Sequence, residues 1–232
     1  IGRGQFGVVF LLQHATTHHK VVDKRVGLAG LTPKQRAETD REISLLKSLR
    51  HHGIVQYLAS WLGGDGGTDG STLHIIMEYC GGGSLAEAIE SQQQMGGAPF
   101  APNRIRRWLK QLAAALAHVH SQRVIHRDVK TANIFLTDGD DRVKLGDFGI
   151  SRLLSSQTEL AATCVGTPYY LSPELISGQG YDGRTDVWSL GVIAHECVAL
   201  SRPFSGENIS QLAMAVVREP PAPLPPTAPQ DI

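Results

Sequence analysis

The segment Gly2-Arg3-Gly4-Gln5-Phe6-Gly7-Val8-Val9 carries glycines at a spacing that lets main-chain N–H groups approach phosphate oxygens without obstruction by side chains. By itself a G-x-G-x-x-G run is as often a plain turn. A dinucleotide-binding reading needs a strand before it and a helix after it. Here the β-branched run Val8-Val9 follows, so the loop closes a hairpin and the dinucleotide fold is set aside. Two further segments concentrate ionisable and amide side chains. They are His126-Arg127-Asp128-Val129-Lys130-Thr131-Ala132-Asn133 and Asp147-Phe148-Gly149.

The elements that must position these groups are legible from periodicity. Residues 8–12 and 20–26 read as strands around a turn rich in His and Thr. Thr32 is a helix N-cap with Pro33 in the first turn and Gln35 closing a capping box. Glu42, Leu46 and Leu49 follow on one face of that helix. Residues 54–62 and 71–78 read as strands joined by a glycine-rich polar loop at 63–70. Cys80-Gly81-Gly82-Gly83 is a linker and divides the chain into lobes of 1–79 and 80–232. Ser84-Leu85-Ala86-Glu87 is a second capping box, and Ile105, Leu109, Leu112, Leu116 and Val119 make the apolar stripe of a long helix. Short strands are expected near 133–136 and 143–145. A helix buried nearly all round is expected over 187–200, and a Pro-rich tail without a packed element from Glu219. Strands with one helix come first and helices second, which is two lobes of unequal character.

Composition narrows the classes. The 232 residues suit one large domain or two small lobes, and 41% hydrophobic with 19% charged residues suits a globular chain. Lys+Arg and Asp+Glu balance at 22 each, which leaves no general electrostatic case for nucleic acid or an anionic membrane. Cys80, Cys164 and Cys197 are odd in number and far apart, which excludes a disulfide framework or a zinc ribbon and suits a reducing compartment. The apolar stretch 187–200 is interrupted by His195 and Glu196 and is too short to span a bilayer. The chain starts at Ile1 and not at Met, so it is expected to be a fragment whose upstream targeting signals are out of sight.

Taken together and in this order, the glycine loop, His126–Asn133 and Asp147-Phe148-Gly149 resemble the signature set of eukaryotic protein kinases. The resemblance implies an α+β, bilobal protein-kinase-like fold. It has a small β-rich N-lobe with one long helix and a larger, mainly helical C-lobe, truncated at both ends. It also implies roles. Lys24, in Val21-Val22-Asp23-Lys24, resembles the strand lysine held on the α/β-phosphates by a helix glutamate, here Glu42. Strand alternation puts Val22 and Lys24 on the cleft side and Asp23 facing away, where an acid is tolerable. Asp128 matches the catalytic base and Lys130 the group that steadies the γ-phosphoryl. Asn133 and Asp147 match the metal ligands, and their hard oxygens suit Mg²⁺. Phe148, His126, Leu46 and Tyr57 match a stacked spine, and Asp186 the acid that anchors the catalytic loop from beneath.

For ATP the resemblance assigns the loop Ile1 to Val9, namely Ile1, Gly2, Arg3, Gly4, Gln5, Phe6, Gly7, Val8 and Val9. Val22 lies above the adenine, Phe135 below it, Met77 is the gatekeeper, and Glu78 and Cys80 are main-chain hinge contacts whose side chains say little. Ser84 stands where many kinases have a ribose-binding acid; a helix N-cap is its competing role. Lys130 and Gly166-Thr167-Pro168-Tyr169-Tyr170 follow the serine/threonine pattern, with Gly166, Thr167 and Pro168 in the substrate loop. Met77-Glu78-Tyr79-Cys80, Asn133-Ile134-Phe135-Leu136 and Gly166–Glu174 are similar to the NIMA-related (Nek) kinases. The departures are Ser172 for the usual Ala, the insert at 63–70 and an extra residue near Gly139. By this likeness Thr163 is the activation phosphosite, paired with Arg127.

The implied activity is Mg-ATP-dependent phosphorylation of serine and threonine hydroxyls on protein substrates, without nucleic-acid or membrane partners. A cytoplasmic place is implied, with cytoskeleton, basal body or nucleus as further sites, in cell-cycle, microtubule or ciliary work. The rival class is a pseudokinase scaffold, against which Lys24, Glu42, Asp128, Asn133 and Asp147 are all present. No basic residue after Arg218 matches the usual partner of Glu174, so residues 1–232 alone are expected to be poorly soluble or weakly active.

Overall fold

The computed structural model describes residues 2–4, 7–29, 32–63, 72–139, 141–148, 168–226 and 228, with main chain alone at 2–4, 38 and 42. The sequence opens with β1 (Gly2–Gly4), β2 (Gly7–Gln13) and β3 (Lys20–Gly27), then α1 (Pro33–Ser48), β4 (Tyr57–Gly63) and β5 (Thr72–Glu78). The five strands form one antiparallel sheet in the order β1-β2-β3-β5-β4. The capping box at Thr32 and Gln35 starts α1 as the sequence indicates. Val26, Leu28, Ile43, Leu73 and Ile75 bury one face of the sheet against α1.

The second half is mainly helical: α2 (Leu85–Gln94), α3 (Pro102–Ser121), the pair β6 (Ile134–Leu136) and β7 (Val143–Leu145), then α4 (Pro173–Ile176), α5 (Arg184–Ala199) and α6 (Ile209–Arg218). Its core is the stripe Ile105, Trp108, Leu112, Leu116 and Val119 of α3, packed with Ile193 and Cys197 of α5 and Ile134 and Leu145 of the strand pair. Trp108 is fully buried, its indole N–H donating to the Asp141 carbonyl at 3.1 Å. Asp141 also takes Arg104 at 2.6 Å and Arg107 at 3.2 Å, which pins the β6–β7 turn to α3. Leu46 of α1 packs against both cores and joins them.

Four expectations are corrected. The strand expected over 54–62 begins only at Tyr57, because Ile54 bridges Leu145 and the Val55 N–H donates to Leu145 O at 2.9 Å. The helix expected at 187–200 starts at Arg184 and is not apolar all round. Val187 is 56% exposed, while Thr185, Asp186, Ser189 and Glu196 are buried to hold loops. Asp23 does point away from the cleft, but that side is covered and not open: it is 1% exposed, accepting from Arg25 Nε at 2.8 Å and bonded to His74 Nδ1 at 3.1 Å. Trp61, 47% exposed, lies parallel on His74 with ring centres 5.1 Å apart. The tail after Glu219 has no regular structure but is packed. The Ala222 N–H donates to Pro203 O at 2.8 Å, and His195 meets the carbonyls of Ser201 and Ala222 with its two ring nitrogens. The loop at 64–71 lies outside the described residues. Among the described residues no helix is long and apolar enough to cross a membrane.

Candidate active site

The glycine loop does close a hairpin, with Gly4 opposite Gly7. A Cβ on Gly7 would stand 2.0 Å from the Arg25 carbonyl oxygen, closer than any side-chain carbon can sit, so this position must lack a side chain. The registers Val9↔Lys24↔Ile75 and Leu11↔Val22↔Met77 set these six side chains on one face of the sheet, the face turned to the cleft. Val8 pairs with Arg25 on the opposite face, which leaves its main chain for the loop. Ile1, Gln5 and Phe6, and the side chains of Gly2–Gly4 including Arg3, are outside the described residues.

Across the cleft, Lys24 forms an ion pair with Asp147, with 12% and 43% of their side chains exposed. The Glu42 side chain is outside the described residues, so the expected Lys24–Glu42 pair is not observable. On the loop after α3, Asp128, Lys130 and Asn133 form one network. Lys130 Nζ donates to Asp128 Oδ2 at 2.9 Å, and Asn133 Nδ2 donates to the Asp128 main-chain oxygen and to Oδ2, both at 2.8 Å. Asn133 is 4% exposed, held in the short 3-10 turn Thr131–Asn133, whereas Asp128 keeps 38% of its side chain open. Its open side leaves room for a substrate hydroxyl.

The loop is anchored from below. Asp186 of α5 is 1% exposed; its Oδ2 accepts from the His126 N–H at 2.9 Å and from His120 Nε2 at 2.7 Å, and its Oδ1 from the Arg127 N–H at 2.9 Å. Arg127 has φ 65° and Asp147 φ 57°, left-handed values that cost side-chain-bearing residues of order 1–3 kcal/mol. The three bonds to Asp186 offset that strain at Arg127. His126 is 3% exposed, meets Gly146 O through Nε2 at 3.1 Å, and accepts from the Asp128 N–H through Nδ1 at 3.3 Å. That division needs a neutral ring, and burial pushes its pKa down accordingly. Phe148 packs on it with ring centres 4.5 Å apart. Leu46 packs both against the core that holds Phe148 and against the core on which Tyr57 packs.

The remaining residues assigned to ATP lie along β5, the segment after it and β6. Met77 and Glu78 end β5, and Cys80 follows, its thiol pushed up to about 11 chiefly by burial. Phe135 in β6 bridges Ser84, and a Cβ on Gly146 would meet the Phe135 ring at 2.8 Å, so the strand before Asp147 lies tight against this floor. Ser84 caps α2: Oγ accepts from the Glu87 N–H at 3.2 Å, and the Ser84 N–H donates to Glu87 Oε2 at 2.6 Å. Pro168 is buried, while Thr163, Gly166 and Thr167 are outside the described residues.

Sequence reasoning missed a second tier. Tyr170 Oη donates to Glu196 Oε2 at 2.5 Å and meets Thr131 Oγ1 at 2.8 Å, tying the catalytic loop to α5. Burial raises the pKa of both Tyr170 and Glu196. A groove of about 720 Å³ lies beside this network, lined by Ile89, Glu90, Thr131, Tyr169 and Arg202 among others. The polar residue types on an otherwise apolar α5 were the available signal.

The donor set fits Mg²⁺, with a carboxylate and a carboxamide oxygen at the cleft and, among the described residues, no soft ligand beside them. Residues 1–225 match the family model described as protein kinase domain. The chain is 39% identical over 217 residues to mouse "Serine/threonine-protein kinase Nek1", covering 94% of this chain and 17% of that protein. It is 37% identical to human "Serine/threonine-protein kinase Nek5", over 97% of this chain and 31% of that protein, and 36% identical to mouse "Serine/threonine-protein kinase Nek4", over 97% and 27%. The chain thus spans less than a third of the length of these curated relatives.

Proposed function

Because the chain belongs to the protein kinase family and is similar along nearly its whole length to NIMA-related serine/threonine kinases, we propose that it transfers the γ-phosphoryl group of ATP to serine and threonine hydroxyls of protein substrates. The observation that carries this is the Asp128–Lys130–Asn133 network facing the Lys24–Asp147 pair beneath a glycine hairpin. Asp128 accepts the hydroxyl proton as the new P–O bond forms and the bond from the γ-phosphorus to the bridging oxygen breaks, releasing ADP. Lys130 and Lys24 balance charge on the phosphoryl oxygens, and the hairpin N–H groups hold the phosphates. Asn133 and Asp147 would hold Mg²⁺, which neutralises phosphate charge when bound. Val9, Val22, Met77 and Phe135 enclose the adenine, with main-chain hydrogen bonds from Glu78 and Cys80.

The lobes divide at 79/80, and Glu42 completes the lysine's support. Thr163 is the activation phosphosite. Its phosphate, of charge about −1.5 to −2, pairs with Arg127 and orders the segment that carries Gly166, Thr167 and Pro168. We also propose a cytoplasmic place for the chain, with cytoskeleton, basal body or nucleus as further sites. Incubation with Mg-ATP labelled at the γ-phosphate and dephosphorylated casein should yield phosphoserine or phosphothreonine. No transfer to any protein or peptide substrate under those conditions, by a chain that melts cooperatively, would refute the assignment. Thr163→Ala should cost about tenfold or more in activity; full activity with Thr163 unmodified removes that site.

A further inference from the structure

The hinge is not a matter of main chain alone. The Glu78 N–H donates to Gln56 O at 2.9 Å, and the Glu78 carboxylate accepts the Gln56 N–H at 3.1 Å, so the two residues are joined twice. The same carboxylate takes Lys144 Nζ at 2.8 Å. Only 13% of the Lys144 side chain and 29% of the Glu78 side chain are exposed. Lys144 belongs to β7 and is the cross-strand partner of Phe135. Glu78 lies between Met77 and Cys80. One ion pair therefore links the strand pair that carries the floor of the adenine slot to the strand that carries its edge.

We propose that Glu78 and Lys144 are positioning residues that set the spacing between hinge and floor, and with it the affinity for ATP. The inference rests on the ATP-dependent function proposed above. Neither side chain touches the reacting atoms; both act through main chain they hold in place. A half-buried pair is screened less than a surface one, and removal of either partner leaves a charge uncompensated beside the slot. The bonds to Gln56 tie the hinge to the segment just before β4 as well, so the hinge is fixed from two sides.

The test compares wild type with Lys144→Met, which keeps most of the aliphatic stem, with Glu78→Gln, and with the double variant. It measures displacement of a fluorescent ADP by ATP, KM for ATP, KM for a peptide, and kcat. Each single change should raise Kd and KM for ATP about three- to tenfold, with kcat and peptide KM moving less than about twofold. The double variant should be no worse than the worse single one. Unchanged ATP affinity in Lys144→Met, additive losses in the double variant, or losses spread evenly over kcat and both KM values would overturn the proposal. So would a rise in kcat at constant KM, which would make the pair a restraint on lobe motion. Wild type that binds no nucleotide overturns the kinase reading and this role with it; wild type that binds while the variants match it overturns this role alone.

Discussion

At the level of single residues, the site is built from side chains that satisfy one another. Asp128 is held by Lys130 and Asn133, so Asp128→Asn should leave the fold intact and lower kcat by about 10²–10⁴. A turnover assay of the folded variant checks this, and wild-type rates would deny Asp128 its role as base. Asp186 is the structural counterpart. Asp186→Ala leaves the His126 and Arg127 N–H groups without their buried acceptor, and the expected loss is about 3–5 kcal/mol, read as a lower denaturation midpoint. Both acids were legible in the sequence, because their motifs have fixed spacing. Asp23 was not. Strand alternation gave its face correctly, but that face carries Arg25 and His74, and a period-2 pattern cannot show that neighbouring strands supply partners for an acid. The Glu78 side chain carried no sequence signal of its own, its partner Lys144 lying far along the chain.

Among the elements, capping chemistry and apolar stripes were read almost without error, since both depend on residues within a turn or two of each other. Thr32, Gln35, Ser84 and Glu87 make the boxes their types imply, and α3 buries Ile105, Leu112, Leu116 and Val119 of the stripe expected of it, with Leu109 only partly buried and Trp108 in the core beside them. The beginning of β4 was misplaced because residues 53–55 bond to Leu145, a long-range choice with no local signal. Ser84 offers a direct test of a competing role. As a cap, Ser84→Ala should cost about 1 kcal/mol of stability with KM for ATP unchanged. A higher KM with an unchanged melting temperature would instead place the hydroxyl on ribose.

For the molecule as a whole, two half-hidden or buried histidines make stability depend on pH in one direction. His51 stacks on His118 with ring centres 5.2 Å apart, and its Nδ1 accepts from the Gly53 N–H at 3.1 Å. Burial first, then the charges of His52, His118 and Lys144, push its pKa below 6.5, and burial does the same to His126. Below pH 6.5 the unfolded chain takes up protons that the folded rings refuse, so stability falls as the pH falls. Melting temperatures between pH 7.5 and pH 5.5, about one unit either side of that value, should decline. His118→Phe should flatten the decline, and a rise toward acid would contradict the sign.

The stack of Trp61 on His74 has an optical consequence. Of the 3 tryptophans, Trp61 is half open to water on the five-stranded sheet, while Trp108 has no exposed surface in the core of the helical half. Their emission should therefore differ in colour, red for Trp61 and blue for Trp108. Fluorescence resolved by wavelength during denaturation would then report whether the sheet and the helices come apart together or one before the other.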